Sequence, residues 1–198
     1  MPSSYTPLGV ELMVTGEQAG LWGDKTNTNL NILSQIVGGY NSQAVNGTGD
    51  TPLNVSDGAT GATVANRIIE LTGTITGNIT VSIPLDVENF YIIKNSTSGA
   101  FTVEFQYTSG SGTSVTFSST DKGTKFVYAK ADDGTNPNIV DVFSEFSQIN
   151  LVNRNELRFQ DATGGQYVGL RAASTVGSSF TLNLPTADAS SSGQALVS

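Results

Sequence analysis

The side chains of this chain that could do chemistry are its carboxylates. There are 17 acidic residues, 9 basic ones, no histidine and no cysteine. Without His or Cys there is no Ser-His or Cys-His nucleophile pair, no thiolate, and no usual zinc ligand set. Paired carboxylates remain. Two of them flanking a glycosidic bond can act as acid and as base or nucleophile. The middle of the chain offers Glu70, Asp86, Glu88, Glu104, Asp121, Asp132, Asp133, Asp141 and Glu145. Most fall in turn clusters or at polar positions of alternating segments, which reads as solvated surface. Asp132-Asp133-Gly134-Thr135-Asn136 presents oxygens of the kind calcium takes, but without the ligand spacing or distal glutamate of a known loop. Gly110-Ser111-Gly112 has neither the lysine nor the following helix of a phosphate loop. No catalytic residue, cofactor or metal is therefore expected, and the chain reads as a non-enzyme.

Composition says which elements must carry these groups. Hydrophobic residues make up 37% and charged ones 13%, the latter about half the usual share. Ser, Thr, Asn and Gly take up the difference, which favours strands and tight turns over disorder, since disordered chains are usually highly charged. A net charge of −8 opposes contact with nucleic acid and anionic membranes. The N-terminus lacks the basic and apolar regions of a signal peptide, and no apolar run reaches membrane-spanning length. Synthesis and assembly in a cytoplasm are expected, with no membrane insertion.

Four stretches follow. Residues 1–45 form an arm with one short helix of about ten residues, capped by Asn27 or Thr28 and ended by Gly38-Gly39. Leu30, Leu33, Ile36, Val37 and Tyr40 recur at helical spacing, and Trp22 sits just before the helix. So short a helix is marginal alone. Its stripe and Trp22 either pack on the chain's own core or dock on neighbouring subunits. Residues 46–62 read as a linker rich in Gly, Asn, Asp and Pro.

Residues 63–147 read as a β-domain of short alternating strands, in an antiparallel sandwich or barrel-like arrangement. Phe101, Val103, Phe105 and Tyr107 share one face there, and Phe90, Phe101, Phe105, Phe117 and Phe126 are expected in the core. Residues 148–198 form a C-terminal β extension with strands near Leu157–Phe159, Gln166–Arg171 and Phe180–Leu184. This stretch has too few large apolar groups for a core of its own, and residues 188–193 read as mobile.

The run Val14–Tyr40, VTGEQAGLWGDKTNTNLNILSQIVGGY, resembles the opening of tailed-bacteriophage virion structural proteins of the tail-fibre-like group. FYIIKN at Phe90–Asn95 and FVYAK at Phe126–Lys130 are similar to that group's β-domain. LRFQDATGGQYVGLRA and LNLPTADASSSGQAL resemble a motif of phage fibres. In many members Gly-Gln-Ala-Leu continues into a Gly-Ser-rich segment and a Trp, whereas this chain stops at Ser198. Either a short fibre or part of a longer one is expected.

The resemblance implies a mostly β, trimeric subunit of the virion. Its arm would anchor it to tail or capsid proteins through Trp22, Leu30, Leu33, Ile36, Val37 and Tyr40. Its partners would be copies of itself, other virion proteins and, as a further candidate, a host surface. A capsid decoration protein, a tail adaptor and a host-glycan-binding module using Tyr107, Tyr128 or Tyr167 are alternative expectations.

Overall fold

A computed structural model describes residues 3–161, 165–179 and 181. It divides into two compact units, Met1–Glu145 and Phe146–Ser198. Among the described residues the chain is mostly β with one α-helix, and no sheet closes into a barrel.

The first unit opens with a two-stranded antiparallel ribbon, β1 (Ser4–Tyr5) and β2 (Glu11–Leu12), followed by the helix α1 (Trp22–Gly38). The chain then makes three passes, each placing one strand in each of two sheets. The passes are β3 (Tyr40–Ala44) with β4 (Gly47–Pro52), β5 (Ile68–Thr72) with β6 (Ile75–Ile83), and β7 (Asn89–Asn95) with β8 (Val103–Tyr107). Successive passes stack in parallel. Tyr40 faces Ile68 and Ile68 faces Ile92 in one sheet, while Thr51 faces Val81 and Val81 faces Phe105 in the other. The strands β9 (Val115–Phe117), β10 (Thr124–Ala129) and β11 (Ile139–Asp141) close the stack by antiparallel pairing. The sheet orders are β11-β10-β7-β5-β3 and β4-β6-β8-β9.

The central ladders are thus parallel, a correction to the antiparallel pairing expected above. The alternation that prompted that expectation is real: β8 buries Val103, Phe105 and Tyr107 and leaves Glu104 and Gln106 half-covered. Parallel sheets usually lose this signature because crossover helices cover both faces. Here each crossover is a strand of the opposite sheet, so every strand keeps an outer face.

One continuous core lies between the sheets. Ile69, Leu71, Tyr91, Ile93 and Val127 from one sheet meet Val81, Ile83, Val103, Phe105 and Phe117 from the other. Tyr91 packs edge-on against Phe105, with ring centroids 5.7 Å apart, and donates its hydroxyl proton to the carbonyl of Val64. Phe105 and Phe117 are buried as expected. Phe90 and Phe126 instead lie on the outer face, 6.2 Å apart, and Phe126 stacks edge-on to Phe143. Phe101 is exposed.

The corner between the strands of a pass depends on Gly73. Its φ is +108°, and a Cβ there would lie 2.4 Å from Asn46 Oδ1 and 2.7 Å from the Val45 carbonyl oxygen. Asn46 Oδ1 accepts the Thr74 amide at 3.0 Å and so stitches one corner to the next. The region expected as a linker, residues 46–62, therefore contributes β4 to a sheet. Its glycines serve a stacked corner as well as a loop.

Among its described residues the second unit contains one antiparallel hairpin, β12 (Leu157–Gln160) with β13 (Tyr167–Leu170). It matches two of the strands expected there. The strand expected at Phe180–Leu184 falls almost wholly outside the described residues, as do residues 188–193.

Candidate docking surface

The arm is built from the run Val14–Tyr40 and the ribbon that precedes it. At its centre stands Glu11, whose side chain is only 1% exposed. Ser3 Oγ and Gln18 Nε2 donate to Glu11 Oε1 at 2.7 and 2.8 Å, and the ammonium of Lys25 lies 3.1 Å from Oε2. The Ser3 hydroxyl first, then Lys25 and Gln18, hold this carboxyl below its ordinary value against the opposing effect of burial. Asn29 grips the same residue through its backbone: its Oδ1 accepts the Glu11 amide and its Nδ2 donates to the Glu11 carbonyl, both at 2.9 Å. A helix side chain thereby pairs with β2 much as a neighbouring strand would.

The helix is longer than the ten residues expected. It starts at Trp22 rather than near Asn27 or Thr28, without a side-chain cap, and carries Asp24 in its first turn, where an acidic group favours the helix dipole. Its end is as read. Gly39 follows with extended backbone, so it is not a left-handed cap; a Cβ there would sit 2.5 Å from Asn66 Oδ1 and 2.7 Å from Gln35 Cα. Glycine is needed for close approach. Arg67 fixes this end to the sheet, its Nε donating to the Ile36 carbonyl at 3.0 Å and its Nη1 to the Phe90 carbonyl at 2.9 Å.

The six residues read as an anchor separate into three groups. Trp22, Leu30, Leu33 and Val37 are exposed on one face of α1, Trp22 at 62% and Val37 at 73%. At 3.6 residues per turn they span an arc of about 80°. Ile36 is half-buried and packs against the core. Tyr40 lies beyond the helix as the first residue of β3, on the outer face of the sheet, and its hydroxyl donates to Glu70 at 2.5 Å. Ile32 is fully buried and is the one buried residue of α1. The spacing reading passed over it because Leu30 and Leu33 on either side offered an equally good apolar stripe.

Two grooves border this face. One follows the end of the helix along Leu30, Leu33, Val37 and Gly39. The other runs between the N-terminal ribbon and α1, lined by Pro7, Leu8, Val10, Leu33 and Ile36, with Asp86 and Glu88 at its side. Leu33 belongs to both.

Five of the carboxylates weighed for chemistry are engaged within the fold. Glu70 accepts from Lys94, Ser96 and Tyr40, which together hold it down to about 2. Asp132 accepts the side chain and amide of Asn138, beside Lys130, and is likewise held at about 2. Asp133 accepts the amides of Thr135 and Asn136. Asp141 pairs with Lys125, and Glu104 accepts from Ser114. Among the described residues no group of three or more acidic side chains could hold a metal ion.

Of the tyrosines weighed as sugar platforms, Tyr107 is buried and donates to the Val87 carbonyl. Tyr128 donates to Glu88 at 2.5 Å. Tyr167 is exposed in the second unit, with the Arg158 guanidinium 4.2 Å from its ring centre.

Compared with known proteins, the chain matches no family model, no curated protein and no solved structure.

Proposed function

We propose that this chain is a non-enzymatic structural protein of a tailed-phage virion, a fibre-type subunit that docks on the particle through its N-terminal arm and associates with copies of itself, as a trimer. The observation that carries the reading is the division of labour within Val14–Tyr40. Gln18, Lys25 and Asn29 all hold Glu11, Ile32 is buried, and Ile36 packs against the core. Trp22, Leu30, Leu33 and Val37 do none of this and face outward. A tryptophan and three aliphatic residues left on one helix face make the kind of surface that another protein covers, and tryptophan is prominent among interface hot spots.

The second unit supports self-association. Its hairpin places Leu157, Phe159, Val168 and Leu170 on one face, all exposed, and an isolated hairpin is marginal in water. Residues 146–198 carry three arginines (Arg154, Arg158, Arg171) against three carboxylates (Glu156, Asp161, Asp188), a net charge of zero, so the whole −8 falls in residues 1–145. Copies can therefore meet through the second unit without like-charge repulsion.

Light scattering of the purified chain tests association. A mass three times 20.6 kDa is expected, and a monomer at tens of micromolar would overturn the trimer. Immunogold labelling of intact particles tests location: label on the tail supports a tail fibre, label on the shell a capsid fibre, and unlabelled particles overturn the virion reading.

A further inference from the structure

We infer that the groove between the N-terminal ribbon and α1 receives an apolar segment with cationic flanks, contributed by another protein of the particle; this deepens the docking role proposed above and rests on it. The groove floor is aliphatic, formed by Pro7, Leu8, Val10, Leu33 and Ile36. Its charged lining is of one sign, Asp86 and Glu88, and no basic residue lines it. An adjoining groove shares Thr6, Pro7 and Asp86 with it and adds Asp57, again with no basic residue. Three carboxylates thus flank one apolar path.

The nearby cations of this chain are committed elsewhere. Lys25 is held by Glu11. Arg67, which reaches the Ile36 carbonyl from the sheet, spends its donors on the backbone of Ile36 and Phe90. A second copy of this unit is a poor occupant, because each copy adds eight negative charges to an acidic rim. A partner bearing Lys or Arg on either side of an apolar residue satisfies both parts of the groove: the side chain fills the floor and the charges meet the rim. Leu33, which lines this groove and also stands in the exposed stripe of α1, makes the two surfaces continuous. The partner would run from the groove onto the helix face.

The test uses the full chain and two dye-labelled peptides of equal length, one alternating leucine and lysine, the other leucine and serine. Fluorescence anisotropy is expected to show at least tenfold tighter binding of the cationic peptide at low salt, weakening as ionic strength rises. Asp86→Asn with Glu88→Gln, and separately Leu33→Ser, should each weaken it about tenfold with the thermal unfolding of the β core unchanged. Equal binding of the two peptides, no binding, or cationic binding unmoved by the paired charge substitution would overturn the inference; the last would mark a general attraction to an acidic chain. Particles that take up the Asp86→Asn/Glu88→Gln chain normally but reject a chain altered at Trp22 would also overturn it, while leaving the virion reading intact.

Discussion

The side-chain amide of Asn29 holds the backbone of Glu11 at two points, accepting its N–H and donating to its C=O, each at 2.9 Å. Eighteen residues separate them, and the pair joins the ribbon to the helix beside the Lys25–Glu11 ion pair. Asn29→Ala removes both partners at once and leaves buried backbone groups unpaired, at a cost of about 1–3 kcal/mol. Faster hydrogen exchange at the Glu11 and Leu12 amides is expected, with exchange in β5 and β7 unchanged. Unaltered exchange at Glu11 would show that the clamp does not hold the ribbon.

Acid should loosen particular contacts. Lys94, Ser96 and Tyr40 lower the Glu70 carboxyl to about 2 from an ordinary 4.5. A group whose value is depressed on folding adds stability above its unfolded value and loses it as pH falls toward the folded one. The Glu70 contribution is therefore complete above about pH 4.5 and fades between there and about pH 2. The lowered Glu11 carboxyl has the same sign, so the arm too should weaken on the acid side of the ordinary carboxylate range. Carboxyl titration followed by NMR checks both. Lys94→Met should move the Glu70 midpoint upward.

Gly73→Ala should be among the most damaging small substitutions. It places a side chain at φ +108° and presses a methyl against Asn46 and the Val45 carbonyl, a strain of about 1–3 kcal/mol. Gly23, on the helix surface with open space around the position of a Cβ, is the matched control, and Gly23→Ala should be neutral or slightly stabilising. Chemical denaturation of the two variants gives the comparison.

Much of this was legible in the chain because strands with one wet face alternate. Period two puts Val103, Phe105 and Tyr107 on one face, and the three are buried, whereas Phe101, two residues before on the same pattern, is exposed. The pairing direction could not be read this way, since Ile68 beside Ile92 and Val81 beside Phe105 are contacts between successive passes, and alternation is the same whichever way a strand runs. Phe90 and Phe126 were misplaced for a related reason: hydrophobicity marks a residue as apolar without saying on which side of the sheet it falls. Tyr91 and Val127, one residue on, take the inner side instead. In the arm, Trp22 and the stripe were visible by type and spacing. Ile32 was hidden between two leucines, and Glu11 by its charge, which ordinarily marks a surface residue. The Ser3 and Gln18 donors, the Lys25 pair and the Asn29 clamp explain its burial.

Hairpin association should respond to a single charge. Phe159 and Val168 are paired on the apolar face of β12 and β13. Phe159→Asp puts like charges together wherever copies meet, so the sedimenting mass should fall to that of one chain while the unfolding midpoint of the β core stays put. An unchanged mass would move self-association away from this hairpin.

The most direct measurement is the amount of this chain in purified particles after complementation with Trp22→Ala/Leu33→Ala. Both side chains are exposed, Trp22 at 62%, so the variant should fold with its β core unchanged. Quantitative mass spectrometry is expected to find wild-type chain at a fixed ratio to the other virion proteins and the variant reduced at least tenfold. Equal incorporation of the two chains, or no wild-type chain in the particles, would contradict docking through this helix face.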